Sequence, residues 1–326
     1  MRGRFLRRSS RFAIALVVAA LTVGAAAVAI AGLQPADLTY TPNSEGQMTN
    51  IDVARAYAKN YYGAPTAVAG TGATATWNTP LNLDSNYAEE ARSVAKAGED
   101  WLAARAKVPN RAVVFDVDDT TLTTWNYELY SNWDFNAGTN ANFVGLTGSP
   151  AVFTGNMFPA TPGMLDLLNR AHDLGYAIFF VTGRGDSQHA ATIANLLNDG
   201  AAGFTNIDNV TLSGKTITEV DVNYPAPTPI DVGHGGFTDG LFTKPPVTTP
   251  TSYPAYLDTP EFCGPFIHAT PNPLSCPTIQ YKSGTRAYIE SKGYDIVANF
   301  GDQFSDLENG FADKTFKMPN PNYYLP

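Results

Sequence analysis

The chain has 326 residues, a length that suits two domains or one elaborated α/β domain. Apolar residues make up 44% of it and charged residues 16%, so it can bury a full core, which excludes wholesale disorder. The formal net charge of −9 argues against a nucleic-acid backbone as partner, because that binding depends on Lys and Arg. A small phosphorylated molecule is still compatible, since one local positive site or a bound cation can hold it.

The N-terminal segment has the layout of an export signal. Residues 1–12 hold five arginines and no acid, and an apolar run over residues 12–33 follows, with small residues near its end. We therefore predict that residues 1–31 are a cleaved export signal. An uncleaved membrane anchor is the alternative, because the run is long. The protein is then expected to be secreted or held in the cell envelope, and to meet a membrane only if the leader stays.

The two cysteines, Cys263 and Cys276, lie in a proline-rich stretch. In an oxidising compartment we predict a disulfide between them, with two free thiols as the alternative. A zinc site is disfavoured, because two Cys and four His show no ligand spacing.

The remainder of the chain divides by composition into an extension and one larger domain. Residues 32–83 are rich in Thr, Ala, Gly, Asn and Pro and are predicted to be an N-terminal extension, with one short helix over residues 51–62. Residues 84–326 alternate apolar strands with helices, which predicts an α/β fold: a Rossmann-like parallel sheet with helices on both faces. The predicted strands cover residues 112–116, 176–182, 209–213 and 295–301, and the predicted helices cover residues 84–107, 162–174, 186–199 and 283–292.

Two segments break this alternation, and we predict that both are insertions beside the site. Residues 125–160 are aromatic and rich in Asn and Gly, which suggests a small cap, and residues 219–279 contain many prolines and show no clear period. The aromatic side chains after the first strand could stack on a nucleobase or an aryl group, or form the core of the small cap, which is the interpretation we favour. These side chains are Trp125, Tyr127, Tyr130, Trp133 and Phe135.

Acidic and hydroxyl side chains follow the predicted strands. Asp116 and Asp118 come directly after the first strand, where two carboxylates can share one metal ion or divide the roles of nucleophile and acid. Thr182 and Gly183 end the second strand, where a hydroxyl and backbone N–H groups can bind a phosphoryl oxygen. Ligands bind outside the carboxyl ends of strands in α/β sheets, so these residues are expected to share a site. Taken singly, each motif could be an ordinary turn.

Two further motifs lie near the end of the chain. Lys282 is expected to open the helix that precedes the last strand, with Ser283 as its cap. Asp302 and Asp306 follow that strand, and two acids four residues apart there suit a hard cation with oxygen ligands. A surface lysine and a simple helix cap are the plainer interpretations.

The order of these motifs resembles the haloacid-dehalogenase-like superfamily of phosphohydrolases. The stretch over residues 281–307, YKSGTRAYIESKGYDIVANFGDQFSDL, looks like its acid phosphatase branch, which includes plant acid phosphatases, vegetative storage proteins and bacterial class B-type acid phosphatases. The resemblance covers about residues 84–309, outside residues 219–279.

The resemblance implies a role for each matching residue. Asp116 would be the nucleophile and Asp118 the general acid and base. Thr182, Gly183 and Lys282 would hold the phosphoryl oxygens, with Lys215 as a rival for the lysine role.

The resemblance also implies a cofactor, Mg²⁺. Its ligands would be Asp116, the backbone carbonyl of Asp118, and Asp302, with Asp306 nearby.

These features predict an exported, Mg²⁺-dependent phosphomonoesterase that hydrolyses a small-molecule phosphate monoester through an aspartyl-phosphate. The alternative is a non-enzymatic storage or cell-surface binding protein on the same fold, since some storage members of the branch lack the nucleophile. The presence of Asp116 favours an enzyme. Within the enzyme class, phosphotransfer to an alcohol stays open.

Overall fold

The computed structural model describes residues 51–63, 81–105, 109–131, 133, 158–197, 211–212, 215–216, 222–246 and 252–323. The chain divides into two units after Tyr57, and the second, residues 58–326, contains the sheet described below. The predicted leader, most of the N-terminal extension and most of the predicted cap lie outside the described residues. Among the helices within these ranges, none combines the length and the apolar character needed to cross a bilayer.

The helices follow the chain in this order: α1 Ile51–Tyr61, α2 Asn86–Ala103, α3 Trp125–Ser131, α4 Met164–Asp173, α5 His189–Leu197, α6 Gly264–Ile267, α7 Thr278–Ser291 and α8 Phe304–Leu307. A 3₁₀ turn over Asp186–Gln188 leads into α5. The strands are β1 Arg111–Phe115, β2 Ala177–Gly185, β3 Thr211–Leu212, β4 Lys215–Thr216, β5 Leu241–Lys244, β6 Asp295–Gly301 and β7 Thr315–Lys317.

Five strands form one parallel sheet in the order β5-β2-β1-β6-β7, which confirms the predicted α/β class. β1 is central, and its Val114 pairs with Phe179 of β2 and Asn299 of β6. β1 and β6 are almost wholly buried, as expected for strands covered on both faces, which explains their apolar sequences. The predicted strand over residues 209–213 is different: β3 pairs antiparallel with β4 in a separate two-stranded sheet.

Two strands of the main sheet lie where the sequence predicts none. β5 falls inside residues 219–279, the segment predicted to be an insertion, and pairs in parallel with β2 through Phe242 and Val181. β7 follows β6, so β6 is not the last strand. Both strands are short and are flanked by loops with glycine or proline, so neither shows a clear period.

The start of α7 also differs from the prediction. The helix begins directly after Pro277, so Lys282 lies inside it rather than at its start. Ser283 does not cap it, because its Oγ donates a hydrogen bond to the Ile279 carbonyl within the helix. Proline suits a helix start, since its fixed φ is compatible with the first turn and its missing N–H has no partner there.

Aromatic side chains fill the core on one face of the sheet. Phe300 of β6 stacks between Phe115 and Phe316, at centroid distances of 5.0 and 4.5 Å. α2 approaches this stack through Gly98, where an added Cβ would lie 2.5 Å from the Phe300 ring. A glycine is therefore needed here for close packing of helix on sheet.

A second aromatic cluster contains two of the aromatic residues that follow the first strand, for which the sequence allowed either ligand stacking or a core role. Trp125 and Trp133 are buried, and both lie against Tyr62, which stacks on Tyr87 at 4.2 Å. They are core residues, although Tyr62 lies outside the predicted cap, and Tyr127 lines the pocket described below. Phe135 and the side chain of Tyr130 lie outside the described structure.

Cys263 and Cys276 form the predicted disulfide. Both residues are buried in the apolar cluster on the other face of the sheet, and neither belongs to a strand. The bond closes a loop between α6 and the start of α7, the helix that carries Lys282.

We predict that Phe300→Ala lowers the free energy of unfolding by about 3–5 kcal/mol, because it leaves a cavity between two stacked rings. Phe304→Ala is the matched control: Phe304 is 56% exposed, so its loss should cost at most about 0.5 kcal/mol. Urea unfolding followed by circular dichroism measures both. Equal losses in the free energy of unfolding of the two variants would show that the aromatic stack does not stabilise the core.

Candidate active site

A pocket of about 210 Å³ opens at the carboxyl end of the parallel sheet. The residues predicted for the catalytic, phosphate-binding and metal roles all line it. They are Asp116, Asp118, Thr182, Gly183, Lys282, Asp302 and Asp306. Lys215, the rival lysine, lies in β4, and its side chain is outside the described structure.

The loop after β1 fixes the first two carboxylates. The Asp116 N–H donates to the Phe300 carbonyl at 2.9 Å, and the Val117 carbonyl accepts from the Thr121 N–H at 3.0 Å. The chain turns tightly at Asp119, which has a φ of 51°. The Asp119 carboxylate accepts from the N–H of Thr124 at 2.9 Å and from its hydroxyl at 2.8 Å. These bonds hold the turn closed.

Lys282 connects the loop after β1 with α8 by contacting a carboxylate in each. Its Nζ lies 2.5 Å from Asp116 Oδ1 and also donates to Asp306 Oδ1. Burial by itself would lower the pKa of Lys282, but the two carboxylates raise it well above its ordinary value, so the lysine stays charged. Burial and the nearby Asp306 raise the pKa of Asp116 despite this lysine. The charged lysine is therefore shared between two buried carboxyl groups.

Asp302 is held by neutral donors. Its Oδ2 accepts from the side-chain amides of Gln303 and Asn320, each at 2.6 Å, and its Oδ1 accepts from the Thr120 hydroxyl at 3.3 Å. Burial, followed by the charge of Asp306, raises the pKa of Asp302 to about 7. The arrangement orients a carboxylate without neutralising it.

Asp116, Asp302 and Asp306 each offer a carboxylate oxygen, and these oxygens lie within 4.8 Å of one another. Such a buried set of oxygen donors with excess negative charge fits a hard divalent cation such as Mg²⁺. Gly301 makes the approach possible, because a Cβ there would lie 2.2 Å from Cβ of Asp306. Arg286 stabilises this turn by donating to the Asp306 carbonyl at 2.6 Å.

Asp118 makes a contact that the sequence analysis missed. The Arg184 guanidinium donates two hydrogen bonds to the Asp118 carboxylate, from Nε to Oδ2 at 3.0 Å and from Nη2 to Oδ1 at 2.6 Å. A signal was present: alternate residues of a strand point to the same side, so Arg184 follows Thr182 into the pocket. The Asn320 amide that holds Asp302 had no such signal, because it lies 18 residues away along the chain.

Comparison with known proteins identifies the family. The model of HAD superfamily subfamily IIIB (acid phosphatase) matches residues 68–226 and 266–326. Residues 227–265, which contain β5 and Cys263, lie between the two matched segments.

Among curated relatives, the chain is 27% identical to the stem 28 kDa glycoprotein of Glycine max and to acid phosphatase 1 of Solanum lycopersicum. These matches cover 67% and 65% of this chain, and 61% and 58% of the relatives. Vegetative storage protein 2 of Arabidopsis thaliana is 45% identical over 56 residues, 17% of this chain and 21% of that protein. The chain thus spans less than two thirds of each of these relatives.

Among solved structures, the class C acid phosphatase from Bacillus anthracis aligns with 73% of this chain and 80% of its own, at 16% identity and a TM-score of 0.42. The family match itself covers well over half of the chain and includes the loop after β1, the end of β2, and α7 to α8. The chain belongs to the acid phosphatase subfamily IIIB of the HAD superfamily.

Proposed function

We propose that this chain is a phosphomonoesterase that uses Asp116 as its nucleophile and requires a divalent cation, with Mg²⁺ as the best fit. One observation carries the proposal: a buried carboxylate at the end of the central strand shares one pocket with a charged lysine and two further carboxylates. Membership of an acid phosphatase family supports it.

The charges of the pocket suit attack on a phosphate dianion. Such a substrate repels a carboxylate nucleophile. The charged Nζ of Lys282, which lies 2.5 Å from Asp116 Oδ1, offsets that repulsion. Bound Mg²⁺ would neutralise charge on the phosphoryl oxygens. Asp116 attacks phosphorus in line, the bond to the leaving oxygen breaks, and an aspartyl-phosphate forms, which water then hydrolyses.

Thr182 and Gly183 suit the role of phosphoryl-oxygen donors. Thr182 Oγ1 accepts from the Arg184 N–H at 3.2 Å, which leaves its own proton to donate to the substrate. Among the described residues, an added Cβ on Gly183 would meet Thr278 alone, at 3.9 Å, so there is open room beside this glycine. A phosphoryl group can approach the backbone there.

Asp118 would supply a proton to the leaving oxygen and later take one from water. Both carboxylate oxygens of Asp118 accept from the Arg184 guanidinium, so these bonds must open before Asp118 can turn toward a leaving oxygen. A substrate phosphate offers Arg184 an alternative bidentate partner. We infer that substrate binding draws Arg184 from Asp118 and frees the carboxyl to carry the proton.

Export to an oxidising compartment is part of the proposal. It is supported by the arginine-rich, apolar leader over residues 1–31 and by the Cys263–Cys276 disulfide. The substrates would be small-molecule phosphate monoesters.

A storage role is the second candidate, because relatives named as vegetative storage proteins match a 56-residue segment. The intact set of Asp116, Asp118, Lys282 and Asp302 favours the enzyme. Phosphate release from a generic aryl phosphate by the wild-type protein with Mg²⁺ decides between the two roles, and complete absence of turnover would support storage.

Asp116→Asn is expected to lower turnover at least about 1,000-fold, because an amide cannot attack phosphorus. Phosphate release measures this, with the melting temperature as a check on folding. Asp84→Asn, at an exposed position before α2, is the matched control and should retain full activity. Residual turnover within tenfold of the parent would refute the nucleophile assignment.

Asp118→Asn should slow alkyl phosphates far more than an activated aryl phosphate, because only the poor leaving group needs a proton. We also expect the wild-type rate to fall on both sides of an optimum below neutral pH, as paired acid and base roles require. Steady-state kinetics with leaving groups of graded pKa measures both. Equal losses on all esters would exclude Asp118 as the general acid.

Stability of the metal-free protein should fall as pH rises from about 5 to 7. Burial raises the pKa of Asp302 to about 7 and that of Asp119 to about 6, above the ordinary 3.8. The native state therefore keeps protons that the unfolded chain has released, and the free energy of unfolding drops by up to about 1.4 kcal/mol per pH unit for each such proton.

Thermal melting with a chelator at pH 5, 6 and 7 measures this slope. Mg²⁺ should raise the melting temperature more at pH 7 than at pH 5, because protons compete with the cation for the same carboxylates. Asp302→Asn should flatten the slope. A metal-free protein that becomes more stable toward pH 7 would contradict the electrostatic account.

A further inference from the structure

Glu128 is a pocket residue for which the proposed reaction has no use. It lies in α3, ten residues after Asp118, and lines the same pocket as Asp116 and Asp118. Only 6% of it is exposed. α3 starts at the buried Trp125, so the aromatic cluster fixes the helix that presents Glu128 to the pocket.

The charges of the pocket leave this carboxyl without a cation. Lys282 is shared by Asp116 and Asp306, and Arg184 is held by Asp118. These are the only Lys or Arg side chains that line the pocket in the described part of the chain. Asp302 has its amide donors, so Glu128 is the lining acid that lacks both a basic partner and an amide.

Residues 112–169 offer Glu128 no basic partner. From Ala112 to Asn169 the chain contains no Lys, Arg or His, and this stretch includes all of residues 134–157, the greater part of the predicted cap. Any cation that pairs with Glu128 from that segment is therefore excluded by composition alone.

Within the described residues, the side chain that hydrogen-bonds Glu128 also bonds Asp119. Glu128 shares a hydrogen bond with the Thr124 side chain, but the Thr124 hydroxyl donates its single proton to Asp119 at 2.8 Å. Burial, followed by the charge of Asp119, raises the pKa of Glu128 well above its ordinary value, because the described structure places no positive charge beside it.

We propose that Glu128 is a specificity-determining residue that selects phosphate monoesters carrying a protonated amine on the leaving group. This inference rests on the proposed phosphatase function. An ammonium group that enters the pocket gives Glu128 the cation that the described pocket residues do not supply, and an ion pair forms. A pocket of about 210 Å³ lies below the roughly 300–1,000 Å³ of sites for larger ligands, which favours a short amino-alkyl chain.

The test compares two esters of equal size, 2-aminoethyl phosphate and n-propyl phosphate. The wild-type protein with Mg²⁺ should show a kcat/KM at least about tenfold higher for the amine, as expected for a charge-assisted hydrogen bond. Glu128→Gln should bring the ratio of the two values close to one. A purely structural role of Glu128 would lower both values together and leave their ratio unchanged.

Glu89→Gln on the exposed face of α2 is the matched control and should leave the ratio at its wild-type value. If Glu128→Gln does not fold, inhibition of the wild-type protein by 2-aminoethylphosphonate and n-propylphosphonate gives the same comparison, and the amine should bind about tenfold tighter.

A wild-type ratio within twofold of one, or equal inhibition by the two phosphonates, would overturn the role of Glu128. If neither ester nor an aryl phosphate is hydrolysed, the proposed phosphatase function fails instead. The two failures are therefore distinguishable.

Discussion

The site depends on one electrostatic constraint: carboxylates buried together must be neutralised. Asp116, Asp302 and Asp306 bring oxygens within 4.8 Å of one another in a buried pocket, where like charges repel strongly. Lys282 removes part of that repulsion by contacting Asp116 and Asp306 at once. The negative charge that remains is what a divalent cation would balance. The three carboxylates and one lysine therefore leave a net negative charge in the pocket, and this charge favours binding of a cation.

The surrounding fold serves to hold these charges at close range. Parallel β1 and β6 bring their carboxyl ends together, and the Asp116 N–H bond to the Phe300 carbonyl ties the two strands at the level of the site. Gly301 permits the close approach of Asp306, and Asn320 reaches back from beyond β7 to orient Asp302. The aromatic stack around Phe300 lies just below this layer. Rigid packing thus supports a cluster that would otherwise spread apart.

Local patterns predict the central parts of this structure well. β6 spans the predicted residues, and the carboxylates after β1 and β6 meet as expected, because buried strands and strand-end acids are short-range signals. Long-range features are different. β5 has only four residues among prolines and glycines. The contact of Arg184 with Asp118 joins the end of β2 to the loop after β1, and Asn320 approaches Asp302 through tertiary packing alone. Such contacts depend on how distant segments fold back, which no local period encodes.

The position of β5 has a consequence for shortening this protein. Residues 227–265 fall outside the family match, and such a segment would ordinarily be a candidate for excision. β5 nevertheless covers the outer edge of β2, the strand that carries Thr182 and Arg184. Removing the segment would leave the N–H and C=O groups of β2 unpaired, and an uncovered edge of that kind recruits strands from other molecules. A shortened chain that keeps β5 would keep this edge of β2 paired.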